Sequence, residues 1–424
     1  MSLHTQLINW RRDFHQHPEL GFLEMRTSTI VAAELNKLGY DIKIGREVMN
    51  PEFTMGKPTQ EETAAHYNWA KENGAVIEYL DKVADGYTGI VATLDTGIDG
   101  PVVVFRVDMD ALPIYESEDS SHFPLQEGFR SVNNEMHACG HDVHTSIGLG
   151  LATLLMENKA ELKGTIKILF QPAEEGTRGA RSMVEAGVVD DADFFIASHI
   201  GTGVPFNHFL ASNNGFLATT KLDVSFKGVS SHAGGQPEEG KNAMLAAANA
   251  VINLNAIPRH SGGATRINVG ELHAGSGRNV IADSASLKIE TRGTTSELND
   301  YMKQYAESII QGAAQMFQVD YTIETVGEGK SAKGSTELAK VLAEAAGCEN
   351  LVTELEENKP SGSEDATFFI NRVQEQGGQA SYCIFGTDLA AGHHNEKFDV
   401  NEDSMMPAVQ TLYTSAELLT NKSS

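Results

Sequence analysis

Within eight positions, His137-Ala138-Cys139-Gly140-His141-Asp142-Val143-His144, the chain places three imidazoles and a thiol. A coordinated thiol is deprotonated, and thiolate beside imidazole suits zinc, while carboxylates would also admit manganese. Cys139 and His141 are close enough to hold one ion or two neighbouring ions, with Gly140 leaving room for the turn between them. Carboxylates follow at Glu174 and Glu175, and further imidazoles at His199 and at His393-His394. Taken singly, each has a plain structural reading. A lone Cys is commonly an inert buried hydrophobe, a lone His is commonly satisfied by hydrogen bonds, and an adjacent Glu pair is commonly solvated surface. Their joint appearance at the ends of apolar segments is the layout of a hydrolytic metal site.

Such chemistry requires the groups to meet, and the segments before them say how. Residues 164–170 (GTIKILF) are rich in β-branched and apolar side chains and run into Gln171-Pro172. They predict a buried strand ending in the loop that carries Glu174 and Glu175. Residues 193–198 (DFFIAS) predict a strand that delivers His199, and residues 101–105 (PVVVF) one that opens into Arg106-Val107-Asp108-Met109-Asp110. Residues 382–385 (YCIF) predict a strand shortly before His393-His394, and the apolar stretch 145–155 predicts a buried helix behind the His/Cys cluster. In open α/β sheets the carboxyl ends of parallel strands converge on a crevice where ligands bind, so sequence distance is no obstacle.

The chain has 424 residues, enough for roughly two or three domains. A net charge of -26 disfavours nucleic acid or an anionic membrane as partner, because both demand a basic surface. The N-terminal residues show no cationic region followed by an apolar run, and no stretch is apolar for long enough to span a bilayer. Neither a signal peptide nor a membrane anchor is expected. The three cysteines, Cys139, Cys348 and Cys383, are an odd number that argues against a disulfide framework, and a cytoplasmic location is the expectation.

From Thr219 the pattern changes. A strand at 221–226, a helix at 242–254, strands at 266–271 and 286–291, a helix at 296–317 and a strand at 320–325 give a β-α-β-β-α-β order similar to the split βαβ sandwich. The chain then returns with a helix at 336–346, a loop at 361–366 and the strand leading to His394. The expected organisation is an α/β catalytic domain with a central mixed sheet over 1–218 and 330–424, made discontinuous by an inserted ferredoxin-like α+β domain over 219–329. Residues 47–87, with Pro51, Pro58 and many charges, read as a polar, partly helical insertion. Internal repeats and low-complexity tracts are absent.

Several motifs recur in one family. They are Arg11-Arg12-Asp13-Phe14-His15 with Pro18-Glu19-Leu20-Gly21, residues 106–113, residues 137–144, Gln171-Pro172-Ala173-Glu174-Glu175-Gly176, Ser231-His232-Ala233 and Asn279-Val280-Ile281. With them the chain resembles the aminoacylase and carboxypeptidase G family of dinuclear metallohydrolases, and within it the hippurate hydrolases and indole-acetyl-amino acid amidohydrolases. The resemblance covers nearly the whole chain. Gly176-Thr177-Arg178-Gly179-Ala180, His199-Ile200-Gly201-Thr202-Gly203 and Gly392-His393-His394-Asn395-Glu396-Lys397-Phe398 look most like the branch acting on p-aminobenzoyl-glutamate.

That resemblance implies a metallopeptidase-like catalytic domain whose inserted domain serves as lid and dimerisation surface. It implies two divalent ions, manganese or zinc, held by Cys139, His141, Glu175, His199 and His394. Of the adjoining His393 and His394, the latter has the family's spacing to Phe398. Glu174 would be the general base, Asp108 an orienting group, and His232, often supplied by the other protomer, a donor to the negative intermediate. Asn279 and Arg292 match positions that hold the carboxylate of the leaving amino acid. Apart from the resemblance, Arg178 beside the catalytic loop is a candidate second clamp for an acidic side chain such as glutamate, the competing and commoner reading of such a residue being a surface salt bridge. Where the wider family has a His ligand this chain has Arg106, as the subgroup does, with the thiolate cluster supplying ligands instead.

The implied activity is metal-dependent hydrolysis of the amide bond of a small N-acyl amino acid. The first expectation is p-aminobenzoyl-glutamate; the alternative is a general hydrolase of hippurate-like or indole-acetyl conjugates. The implied assembly is a homodimer, or a heteromer with a second, homologous chain. A non-catalytic, metal-binding regulatory subunit would keep the ligands and lose the base, and Glu174 is present.

Overall fold

The structure, a computed structural model, describes residues 1–359 and 362–421; Ser361, the first residue of the predicted 361–366 loop, lies outside them. In chain order the strands are β1 Asp41–Ile44, β2 Ile90–Asp95, β3 Val102–Asp108, β4 Thr165–Gln171, β5 Phe194–Ile200, β6 His208–Leu210, β7 Ala218–Lys227, β8 Thr265–Ala274, β9 Ser284–Gly293, β10 Asp320–Gly329, β11 Val352–Glu354 and β12 Gln379–Phe385. They form two sheets, of eight and four strands. The chain divides into two compact units. The first comprises Met1–Gly215, Ala332–Lys359 and the chain from Asp365 on, and the second comprises Phe216–Ser331 with a short stretch ending at Glu364.

The large sheet of the first unit has the order β1-β2-β4-β3-β5-β12-β6-β11. β4, β3, β5 and β12 run parallel at its centre. The pairs β1/β2, β2/β4 and β12/β6 are antiparallel, so the sheet is mixed. Strands buried on both faces read as continuous apolar runs, which is why these segments announced themselves in the sequence. The helix His141–Glu157 is buried along nearly its whole length and packs on the sheet through Gly148. A Cβ at Gly148 would lie 2.8 Å from both Phe170 and Val107, so this contact admits no side chain.

The boundaries differ in two informative places. The helix predicted at 145–155 begins four residues earlier, on His141 itself, and His199 lies within β5 rather than after it. The 47–87 segment contains the helices Gln60–Glu72 and Ile77–Val83, and Ala70, Tyr79, Leu80 and Val83 join the hydrophobic core. It is an integral layer of the first unit.

The N-terminal motif also finds its place. Arg11, buried, donates from Nε to Asp142 Oδ2 at 3.0 Å and from Nη1 to Glu402 Oε1 at 3.2 Å, and pairs with Asp399 through Nη2. His15 stands between Asp142 and Glu116, 2.9 Å from each. Burial alone would lower the His15 pKa, but the hydrogen bonds to Asp142 and Glu116 raise it to about 9.

In the second unit β10, β7, β9 and β8 lie in that order, every neighbouring pair antiparallel. Leu222, Val224, Phe226, Leu287 and Ile289 face the helices Ala243–Asn255 and Ser296–Phe317, which bury Ala246, Ala250, Met302 and Ile310 against them. The β-α-β-β-α-β order is that of a ferredoxin-like sandwich. Among the described residues no helix is long and apolar enough to cross a membrane.

Candidate metal centre

Because β3, β4, β5 and β12 are parallel neighbours, their carboxyl ends lie together. β3 leads to Asp108 and Asp110, β4 to the loop with Glu174 and Glu175, β5 to His199, and β12 to the segment with His393 and His394. Cys139 and His141 arrive from the N-terminus of the helix His141–Glu157. The turn between them depends on Gly140, whose φ is +90° and where a Cβ would come within 2.7 Å of Ile200 Cγ2.

Possible donor atoms of Cys139, His141 and His199 lie within 4.8 Å of one another, as do those of Cys139, Glu175 and His394, and those of His141, Glu174 and Glu175. Cys139 thus links two groups, and all five sequence-predicted ligands meet the predicted base. His394 is the imidazole in the cluster; its neighbour His393 donates from Nε2 to Ile200 O at 3.2 Å. His394 holds a φ of +64°, an uncommon conformation for a residue with a side chain.

Second partners fix which nitrogen each imidazole offers. His199 donates from Nδ1 to Ile200 O at 2.8 Å, which leaves the Nε2 lone pair 3.5 Å from Cys139 Sγ. His141 Nδ1 lies 3.2 Å from Asp110 Oδ1, and its Nε2 is buried with no hydrogen-bond partner. His144 donates from Nδ1 to Asp108 at 2.6 Å and accepts the Ile200 N–H at Nε2 at 2.9 Å, so both its nitrogens are spent on structure.

These atoms fit a divalent cation. Glu175 Oε1, like His141 Nε2, is buried without a hydrogen bond, although His394 Nε2 stands 3.3 Å away. An orphaned buried polar atom costs about 1–3 kcal/mol, and two orphans within one donor cluster are accounted for if both bind metal. The electrostatics agree. Burial opposes a charge on His141, yet the Asp108 carboxylate and the Asp110 hydrogen bond raise its pKa well above the usual value. The nearby Cys139 and Glu175 raise His394 to about 10, so the cluster attracts positive charge. Burial and then the Glu175 charge push the Cys139 thiol up, and burial with His144 and His393 nearby pushes His199 well down.

The loop bearing Glu174 and Glu175 is strained and braced. Ala173 and Thr177 hold φ of 51° and 61°. Asp110 accepts the N–H groups of Glu174 at 3.0 Å and Glu175 at 2.9 Å with its two oxygens. Glu24 accepts Ala173 N–H at 2.8 Å and the Thr88 hydroxyl at 2.6 Å. Asp365 accepts Gly179 N–H at 3.0 Å and Ala180 N–H at 2.9 Å. Burial, and then the charge of Asp110, push Glu24 up to about 8.

Sequence reasoning gave these three carboxylates no role. Asp110 had a signal, two residues after Asp108 in the same motif; Glu24 and Asp365 had none. Asp108, the expected orienting group, hydrogen-bonds His144 and Arg106 and stays 3.8 Å from His141, so the hydrogen bond to that donor comes from Asp110. Arg106 is buried between Asp108 and Gln171. Arg178 Nε donates to Glu175 O at 3.0 Å and its Nη1 to Gly56 O at 2.9 Å, contacts that brace the catalytic loop.

In the second unit, His232 forms a β-bridge with Val280, and Ala233 N–H bonds Asn279 O, so His232 and Asn279 share one end of the sheet. His232 Nδ1 accepts Gly234 N–H at 3.1 Å, which makes the exposed Nε2 the N–H donor. Arg292 pairs across strands with Arg266 near the other end of β8, roughly 25 Å from Ala274 at the rise of an extended strand. Asn279 and Arg292 of one chain, expected to share a carboxylate, therefore cannot do so.

The fold and the strand-end cluster define a class. The chain belongs to Peptidase family M20/M25/M40, whose model matches residues 104–418. It is a metal-dependent hydrolase with a site for divalent ions. It is 51% identical to one of the subunits of p-aminobenzoyl-glutamate hydrolase from Escherichia coli (strain K12), and 49% identical to indole-3-acetyl-aspartic acid hydrolase of Enterobacter agglomerans. Each alignment covers 98% of this chain and 96% of the relative. Among solved structures, aminobenzoyl-glutamate utilization protein from Klebsiella pneumoniae matches with a TM-score of 0.86 and 44% identity, over 98% of this chain and 96% of that one.

Proposed function

We propose that this protein hydrolyses the amide bond of p-aminobenzoyl-glutamate, releasing p-aminobenzoate and glutamate. The observation that carries the reading is the convergence of Cys139, His141, Glu175, His199 and His394 beside Glu174, in a chain 51% identical to a hydrolase named for that substrate. Two divalent ions, zinc or manganese, would polarise the amide carbonyl and acidify the attacking water. Glu174, 9% exposed, takes the proton of that water and returns it to the leaving amine nitrogen. Asp110 holds the backbone of Glu174 and the ring of His141 in one setting, so the base and the donor move together. His232 donates from Nε2 to the negative tetrahedral intermediate.

The site is completed by a second copy or by a homologous chain. His232 and Arg292 lie at opposite ends of one small sheet, and a substrate the size of an acyl amino acid is far shorter than the strand between them. One chain supplies the arginine end and its partner the histidine end. Cys139, a free cysteine kept available as a donor, suits a reducing compartment, the cytoplasm.

The 49% identity to indole-3-acetyl-aspartic acid hydrolase favours a second reading, hydrolysis of indole-acetyl or related conjugates. The test is release of p-aminobenzoate by the purified chain, stripped by chelation and restored with manganese or zinc. Release that requires the added metal upholds the proposal. Release that survives complete chelation overturns the metal mechanism, and release from indole-acetyl-aspartate alone transfers the protein to the second reading.

A further inference from the structure

Of the candidate donors, His141 and His199 are buried on a helix and a strand, but His394 has neither support. Its side chain is 54% exposed, and it lies on an irregular segment after β12. That segment closes into a loop through the Leu389–Val400 bridge and the bond from Ala390 N–H to Asp399 O at 3.0 Å. Donors to a metal must be placed to within about 0.2 Å, so an exposed imidazole on a loop has to be held through its backbone from elsewhere. Arg11, 1% exposed, is placed to do this. Its Nε bonds Asp142, the residue after His141, its Nη2 pairs with Asp399 at the base of the His394 loop, and its Nη1 bonds Glu402. The guanidinium lies 4.8 Å from the centre of the Phe129 ring. His15, one turn further along the helix Leu3–Gln16, makes a second path: it stands against Asp142 and Glu116, and the next residue, Ser117, donates its N–H to Glu396 O at 3.0 Å, two positions past His394. A buried ion pair is weak as a source of net stability, so stability alone gives little reason for a guanidinium here. A guanidinium is planar with its donors fixed relative to one another, so it sets the spacing of the groups it holds.

Resting on the reading of Cys139, His141, Glu175, His199 and His394 as metal ligands, we propose that Arg11 is a positioning residue of the metal centre. It spans from the helix that presents His141 to the loop that presents His394, and so sets how far His394 stands from Cys139 and His141. It is hydrogen-bonded to none of the five; it acts through Asp142 and Asp399. The group Cys139, Glu175 and His394 depends on this clamp more than the group Cys139, His141 and His199, whose imidazoles sit on a helix and a strand. Loss of the clamp therefore weakens one ion site and largely spares the other.

The test titrates the chelated full chain with cobalt(II), whose bond to a thiolate gives a charge-transfer absorption, and compares the wild type with Arg11→Gln, Arg11→Lys and Leu7→Ala. Leu7 is buried on the same helix and carries no charge, so its truncation loosens the helix without touching the carboxylates. The expected result for Arg11→Gln is a loss of roughly 10–100-fold in affinity for one of the two cobalt ions, with a weaker charge-transfer band and the other ion held nearly as in the wild type. Arg11→Lys recovers part of the affinity. Leu7→Ala lowers Tm and leaves both affinities and the band close to wild type. Unchanged affinities in Arg11→Gln overturn the proposal. Equal losses in Arg11→Gln and Leu7→Ala also overturn it, since the loss is then one of stability. If Arg11→Gln fails to fold, Asp399→Asn, nearly the same in shape, decides by the same two readings. A wild type that binds no cobalt overturns the metal centre and the clamp together, whereas cobalt bound equally by the wild type and Arg11→Gln overturns the clamp alone.

Discussion

The two sheets of this protein handle their chemistry in opposite ways. In the large sheet four parallel neighbours end on one side, so groups as far apart in the chain as Asp110 and His394 arrive at a single cluster. In the small sheet every neighbour is antiparallel, so successive loops alternate between its ends: His232 and Asn279 fall at one, Arg266 and Arg292 at the other. Parallel strands concentrate functional residues, and antiparallel strands divide them. A division of that kind is useful when two copies meet, because each can offer a different end.

Four perturbations probe this contrast. The largest effect is expected at the concentrated cluster, where Glu174→Gln should lower kcat by ~10²–10⁴-fold with KM little changed. Full activity in that variant would remove the base from the mechanism. At the divided sheet, His232→Ala and Arg292→Ala should each be severely impaired alone. Co-expressed, they should recover roughly a quarter of the wild-type rate, since one site of each mixed dimer carries neither substitution. No recovery in mixtures shown to be mixed would mean that a site draws on both ends of the same chain. A smaller loss, ~10–100-fold in metal affinity, is expected for Asp110→Asn, read by metal titration. Unchanged affinity would show that His141 needs no orienting carboxylate. The smallest effect belongs to Arg178→Ala, which should slow acidic and neutral conjugates by the same factor, as befits a brace; selective loss on glutamyl substrates would make it a clamp.

Much of the first unit was legible because buried parallel strands leave a strong mark. The runs at 101–105, 164–170, 193–198 and 382–385 all proved to be strands, each leading to the residues expected of it. The alternating apolar residues of β9 and the long helix Ser296–Phe317 made the second sheet readable too. Less visible were β6 and β11, three-residue strands with too little pattern to separate from a loop. Glu24 and Asp365 escaped because their targets, the N–H groups of Ala173, Gly179 and Ala180, are backbone atoms that no side-chain motif reports. Asn279 and Arg292 were paired on motif alone, and only strand direction and register reveal that they point to different ends.

The composition of the first unit from the two ends of the chain sets a timetable for its synthesis. β5 and its parallel neighbour β12 are separated by the whole second unit, so the ribosome adds about 180 residues between them, roughly 20 s at usual elongation rates. The inserted unit, complete in itself, can fold during that wait. The earlier strands stand with an open edge, and Arg11 lacks Asp399 and Glu402 until nearly the last residues emerge. A nascent chain is therefore most exposed to aggregation in that interval, and with His394 still unmade it lacks one of the five candidate metal donors until its final segment is released.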